Sequence, residues 1–206
     1  MSVGLSTCND DENENHESNS SSQGMGIIDF ALELEKIIDS ISYSHYILER
    51  KVYTVIESMP QTLMVPLDQV TNQMALELIG NQTSIYDDCQ EIIEMNDEMM
   101  LFLEERIENQ DSSEEEKQEL TEIKYKVLNF NQDIVLVRKL SQELRQHMSN
   151  VFLNNNDNQE NELHNQVLEM DNKFNEFIHL NNETLGRESL LDWVNQAIQY
   201  YLKAMS

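Results

Sequence analysis

Between Leu120 and Val151 the apolar residues Leu120, Ile123, Val127, Phe130, Ile134, Val137, Leu144, Met148 and Val151 recur in alternating steps of three and four, and only Ser141 interrupts them. A strand would alternate every second residue. A seam sustained over more than four heptads instead selects a helix that buries a narrow stripe against another helix. At about 1.5 Å of rise per residue this element is a rod of about 48 Å. The remaining segments must therefore pack along the rod or extend it.

The 206 residues include only 5 Gly and 2 Pro, and no Val/Ile/Tyr alternation bounded by glycine turns is found. That composition excludes a sheet and leaves an all-α chain, an elongated helical hairpin or bundle with a coiled-coil rod. The expected organisation is a disordered acidic tail over 1–25, an N-terminal helical hairpin or bundle over 26–108, and an acidic linker over 109–119. A heptad helix over 120–153, an Asn-rich linker over 154–162 and C-terminal helices over 163–206 follow.

Within the first hairpin, Ile27, Phe30, Leu34, Ile37, Ile41, His45, Leu48, Val52, Val55 and Met59 form one stripe. Two successive steps of four around His45 form a stutter in it. His45 has no second His or Cys four positions away on its face and reads as a core or edge histidine. Pro60 is expected to stop this helix, and the Pro60–Pro66 stretch to turn the chain into an antiparallel second helix, with a second interruption available at Gly80–Asn81. Over 85–107 the stripe of Ile85, Cys89, Ile92, Met99 and Leu103 is widened by Ile93, Met95, Met100 and Phe102, so this helix should touch more than one neighbour. Asn96 sits on that stripe, where an amide either fixes register or marks a helix edge turned to water. From Asn109 to Lys117 no residue is apolar; a loop is expected, with Ser112 or Ser113 capping the next helix and Glu115 or Glu116 completing a capping box.

The 39 acids and 13 bases give a formal charge of −26, which repels phosphate backbones and argues against direct nucleic-acid binding. Half of that charge lies between Asp87 and Glu122, where fifteen acids and two bases leave −13. On the rod, Lys124, Arg138 and Arg145 share the position flanking the seam. An acidic helix is their simplest match, supplied by residues 87–108 or by another subunit.

No apolar run reaches the ~20 residues of a membrane span and the N-terminus has no secretory pattern, so an intracellular protein is expected. Cys8 and Cys89 are isolated thiols, which fits a reducing compartment. There is no glycine-rich phosphate loop, Cys-x-x-Cys, His-x-x-x-His, Gly-x-Ser-x-Gly or calcium loop, and His147 and His164 stand alone. A non-enzymatic protein without cofactor or metal is expected.

In its organisation of acidic tail, helical hairpin, heptad rod and short aromatic terminal helix, the chain resembles the small coiled-coil subunits of eukaryotic scaffolds. Kinetochore and inner-centromere assemblies contain such subunits, as do dynactin and vesicle tethers. The wide apolar surface of 85–107 and the long seam of 120–151, which an isolated chain would have trouble covering, lead to the expectation of a structural subunit that co-folds with other helical subunits in a hetero-oligomer, with no membrane or small-molecule substrate, and the resemblance favours a nuclear over a cytoplasmic location. The partner-facing residues would be Ile92, Met99, Leu103, Ile123, Val127, Phe130, Ile134, Val137, Leu144, Met148, Trp193 and Tyr201. The competing expectation is a self-contained acidic helical adaptor that binds a basic protein or peptide.

Overall fold

Three long helices account for most of the described residues, each carrying one of the apolar stripes. The computed structural model describes residues 25–63, 69–153, 165, 168–169, 171–177, 179 and 188–206, and among them no strand occurs. Helix α1 spans Ile27–Leu63, α2 spans Asn72–Glu108 and α3 spans Glu114–Phe152. A helical stretch at residues 171–177, α4, and a final helix, α5 (Glu188–Met205), complete the order. The chain is thus all-α, as its composition dictates.

Cross-helix contacts fix the directions. Phe30 near the start of α1 stacks on Phe102 near the end of α2 at 4.4 Å, while Lys51 of α1 reaches Asp88 of α2 at 2.6 Å. Those helices are therefore antiparallel. Lys124 of α3 pairs with Glu104 of α2 at 2.6 Å, and Arg138 meets Tyr86 further along, so α3 turns back once more. Lys173 of α4 pairs with Glu143, and Trp193 and Tyr200 of α5 meet Phe130 and Glu116, so α4 and α5 together run antiparallel to α3. Contact of α5 with α1, with the Tyr200 ring edge-on to Phe30 at 6.2 Å, closes the ring. The result is an up-and-down bundle whose fourth side is shared by two short helices.

The core is the sum of the stripes. On α3 every member of the 120–151 seam is buried, and so is Ser141 at its interruption. On α2 the stripe from Ile85 to Leu103 is buried together with Ile93, while Met95, Met100 and Phe102 pack partly buried against the same core. A broad apolar face is what a helix between two neighbours needs, since α2 contacts both α1 and α3. On α1 the buried set runs through Phe30, Leu34, Ile41, His45, Leu48, Val52, Val55 and Met59, with Ala31 and Ile38 added.

Several expectations are corrected here. The heptad helix does not stand apart as a rod; it lies against α2 and α5. Ile27 is exposed at the first turn of α1, and Ile37 is only half-buried. Helix α1 does not stop at Pro60 but continues to Leu63, and α2 runs through Gly80–Asn81 unbroken. Nothing lies within 4 Å of a Cβ built on Gly80, so its small size answers no packing need. The loop after α2 is shorter than the expected 109–119 linker, because Ser113 caps α3 through the Glu116 amide at 3.1 Å and the helix begins at Glu114. The acidic tail over 1–24, the Asn-rich linker and the Pro66 turn lie outside the described residues.

Ile134→Asp buries an unpaired charge at the centre of α3 and removes a fully buried side chain, so a loss of several kcal/mol is expected in chemical denaturation, on the order of the burial and charge terms combined. Ser141→Ala should act in the opposite direction, because its buried Oγ has no hydrogen-bond partner; a gain of about 1 kcal/mol is expected. Unchanged stability in Ile134→Asp would show that α3 does not face the core.

Candidate interaction surface

The ends of α1, α2, α3 and α5 meet in a buried polar knot. Arg106 on the last turn of α2 pairs with Glu116 on the first turn of α3 at 2.7 Å, with both side chains less than a tenth exposed. The Tyr200 hydroxyl donates to the same Glu116 carboxylate at 2.9 Å, and the Arg106 guanidinium donates to the Met25 carbonyl at 2.8 Å and lies 5.7 Å from the Phe30 ring. Ser112 Oγ donates to the Arg106 carbonyl at 2.8 Å. Burial, then the bond to Glu116, pushes the Tyr200 phenol far above its ordinary range, so it remains a donor. Glu116 stands at the capping-box position, but its carboxylate goes to this knot. An Arg and a Glu in the acidic block thereby become a structural clasp.

In the bundle middle, Asn96 Nδ2 donates to Asn131 Oδ1 at 3.3 Å, and Asn131 Nδ2 donates to Asp97 Oδ1 at 3.0 Å. Any slip of α2 along α3 would strand these buried amides, which gives Asn96 the register role its stripe position suggests. His45 lies 5.7 Å from the Phe130 ring, and burial lowers its pKa against the opposing field of Glu49. The Cys89 thiol is pushed up to about 12, chiefly by burial and then by Asp88, so it stays a neutral packing group. Among the described residues no three His, Cys, Asp or Glu are arranged to hold a metal. Neither is any helix of these residues long and apolar enough to cross a membrane.

The flanking bases of α3 find partners inside the chain. Lys124 takes the expected acid, Glu104. Arg138 instead donates to the Tyr86 hydroxyl at 2.5 Å, and the guanidinium carbons of Arg138 and Arg145 lie 4.5 and 5.8 Å from the Tyr86 ring. Tyr86 was not anticipated as their partner, because a ring–guanidinium contact leaves no charge pattern in the sequence.

The residues expected to face a partner are placed together, but inside the molecule. Ile92, Met99, Leu103, Ile123, Val127, Phe130, Ile134, Val137, Leu144, Met148 and Trp193 are buried against one another in a single core. Tyr201 alone is half-buried, beside Glu35 of α1, whose field and hydrogen bond act with burial to raise its phenol. One chain therefore covers both long stripes, which the sequence did not lead us to expect.

What faces outward is organised differently. Asp87, Glu91, Glu94, Glu98, Glu105 and Glu108 follow one another along the exposed side of α2 at helical spacing, with exposed Leu101 filling the remaining step. At 1.5 Å per residue the row is roughly 32 Å long. Among the described residues none of these six carboxylates has a basic partner, whereas Glu104, Asp88, Glu115, Glu116 and Glu119 are held by Lys124, Lys51, Lys203 and Arg106. The acidic block is thus divided into carboxylates that hold the bundle and a row that does not. The helical period of these acids is present in the sequence, but only the burial of the opposite side of α2 makes them an outward row.

No family model matches the chain, and no curated protein or solved structure is found similar to it.

Arg106→Ala leaves the Glu116 carboxylate buried without its cation, and about 3–5 kcal/mol should be lost in denaturant unfolding, whereas Glu116→Gln, which keeps a hydrogen-bonding group there, should lose less. His45 supplies a pH dependence. Its folded pKa lies below the ordinary 6.5, so its contribution is fully present above 6.5 and is lost as the pH falls below that value toward the folded pKa. Denaturation midpoints at about pH 7.5 and about pH 5.5 should converge in His45→Leu relative to the parent, and an unaltered gap would remove His45 as the cause.

Proposed function

We propose that this protein is a non-enzymatic, self-contained helical adaptor that binds a basic segment of another protein along the outward side of α2. The observation that carries the reading is the row from Asp87 to Glu108, a line of carboxylates without basic partners among the described residues, on a bundle whose long apolar stripes are already used internally. A net charge of −26 would draw basic chains to this surface and keep nucleic acids and further copies of the protein away. Affinity here is electrostatic, and so it depends on salt.

A second reading, a nuclear subunit of a kinetochore-type helical assembly, is supported by one feature. Helix α3 carries Tyr125, Leu128, Val135 and Leu136 outward, an apolar row that another subunit's helix could cover. The seam residues themselves would meet such a partner only if the bundle opened.

Sedimentation and binding separate the readings. The adaptor predicts a cooperatively melting monomer whose affinity for the basic protein that copurifies with it falls at least about tenfold as salt is raised from about 0.1 M to about 1 M, because the Debye length contracts from about 10 to about 3 Å. Glu91→Gln combined with Glu98→Gln should weaken that binding without lowering stability. An obligate complex with no stable isolated monomer, held by contacts indifferent to salt, overturns the adaptor in favour of the assembly subunit.

A further inference from the structure

Helix α1 has a second long stripe, on the side opposite its core. Tyr43, Tyr46, Arg50 and Tyr53 follow in steps of three, four and three, with Asp39 and Glu57 continuing the same line at either end. The tyrosines are 68%, 51% and 57% exposed, and they are three of the seven in the chain. Large aromatic rings held out to water in a row on a rigid helix differ from scattered surface apolar residues, because Tyr and Arg supply much of the binding energy at protein interfaces.

We infer that this tyrosine stripe is a docking surface for an arginine-bearing basic segment of another protein, whose guanidinium groups lie on the rings of Tyr43 and Tyr53 beside the Tyr46 ring that the chain's own Arg50 faces. The inference rests on the basic-partner reading above and adds to the carboxylate row of α2 a second place, on α1, that receives arginines. One ring shows the mode: the Arg50 guanidinium carbon lies 5.9 Å from the Tyr46 ring centroid. A cation over an exposed tyrosine is attracted by the ring quadrupole, and carboxylates beside the ring strengthen the attraction. Asp39 and Glu57 lie on the stripe, and neither has a basic partner among the described residues. The other bases of α1 are engaged, Lys36 by Glu33 and Lys51 by Asp88.

A second copy of the chain is a poor occupant. Two α1 helices crossing antiparallel about residue 48 would set Tyr46 against Arg50 twice, but would bring Asp39 of one against Glu57 of the other at both ends, between molecules of charge −26 each. A basic segment meets the same carboxylates with attraction.

The experiment uses the full chain and a fluorescein-labelled nona-arginine peptide in about 0.15 M salt, with nona-lysine as comparison. The combined Tyr43→Ala, Tyr46→Ala and Tyr53→Ala variant should keep its melting temperature, since all three side chains are exposed, and bind nona-arginine about tenfold more weakly. The corresponding Tyr→Phe variant keeps the ring faces and should bind within about twofold of the parent. Nona-arginine should bind more tightly than nona-lysine, and that preference should vanish in the alanine variant. Parent-like binding by the alanine variant overturns the inference while leaving the basic-partner reading intact, because binding would then follow net charge alone. A dimer in sedimentation that the alanine variant dissociates overturns it in favour of self-association. Failure of the parent to bind nona-arginine at all overturns both readings.

Discussion

The fold depends on the burial of one side of α3 against α2. Every other packing decision is subordinate to it, because it sets two long helices antiparallel with their widest apolar surfaces shared, and the register between them is held by the Asn96–Asn131 amide pair. Apolar stripes alone tolerate sliding by a heptad. A buried amide does not, since a displaced partner leaves a polar group in a dry interior. The loop from Asn109 to Ser113 then has little freedom, and the Arg106–Glu116 pair closes the corner.

That frame explains how charge is handled. An acidic chain of this kind could fail by self-repulsion, yet its scarce bases are placed where they join elements. Lys51 ties α1 to α2, Lys124 ties α3 to α2, Lys173 ties α4 to α3 and Lys203 ties α5 to α3. Individually such exposed pairs contribute little. Collectively they neutralise acids at the joints between helices and leave the uncompensated charge along the outward side of α2.

The apolar period made the helices and their buried sides legible, and residues such as Ile134, Ile92 and Trp193 stand where the spacing puts them. The spacing could not tell whether the partner stripe came from the same chain, because a seam only specifies that another helix is met. That is why the sequence leaves α3 to meet a helix of its own chain or of another subunit, and in space it is the third side of a bundle. Pro60 failed as a stop signal, since the penalty of one proline near a helix end is small beside the tertiary contacts of the preceding turns. The outward rows were hidden for a different reason. Asp87, Glu91 and Glu98, like Tyr43 and Tyr46, become a surface only once the opposite side of each helix is known to be buried.

The division of the fourth side between α4 and α5 bears on how the molecule comes apart. Helices α1, α2 and α3 are each 37 to 39 residues long, and α2 shares most of its length with its neighbours. Helix α5 has only 18 residues and must be held by a few docked groups, Trp193, Ala197 and Tyr200 inward and Lys203 at the rim. It therefore forms the natural boundary of a smaller cooperative unit, one whose release leaves α1, α2 and α3 assembled with α4 beside α3. Such a release would uncover the aromatic cluster of Phe30 and Phe130 at two levels of the bundle, turning part of a core into a transient apolar surface.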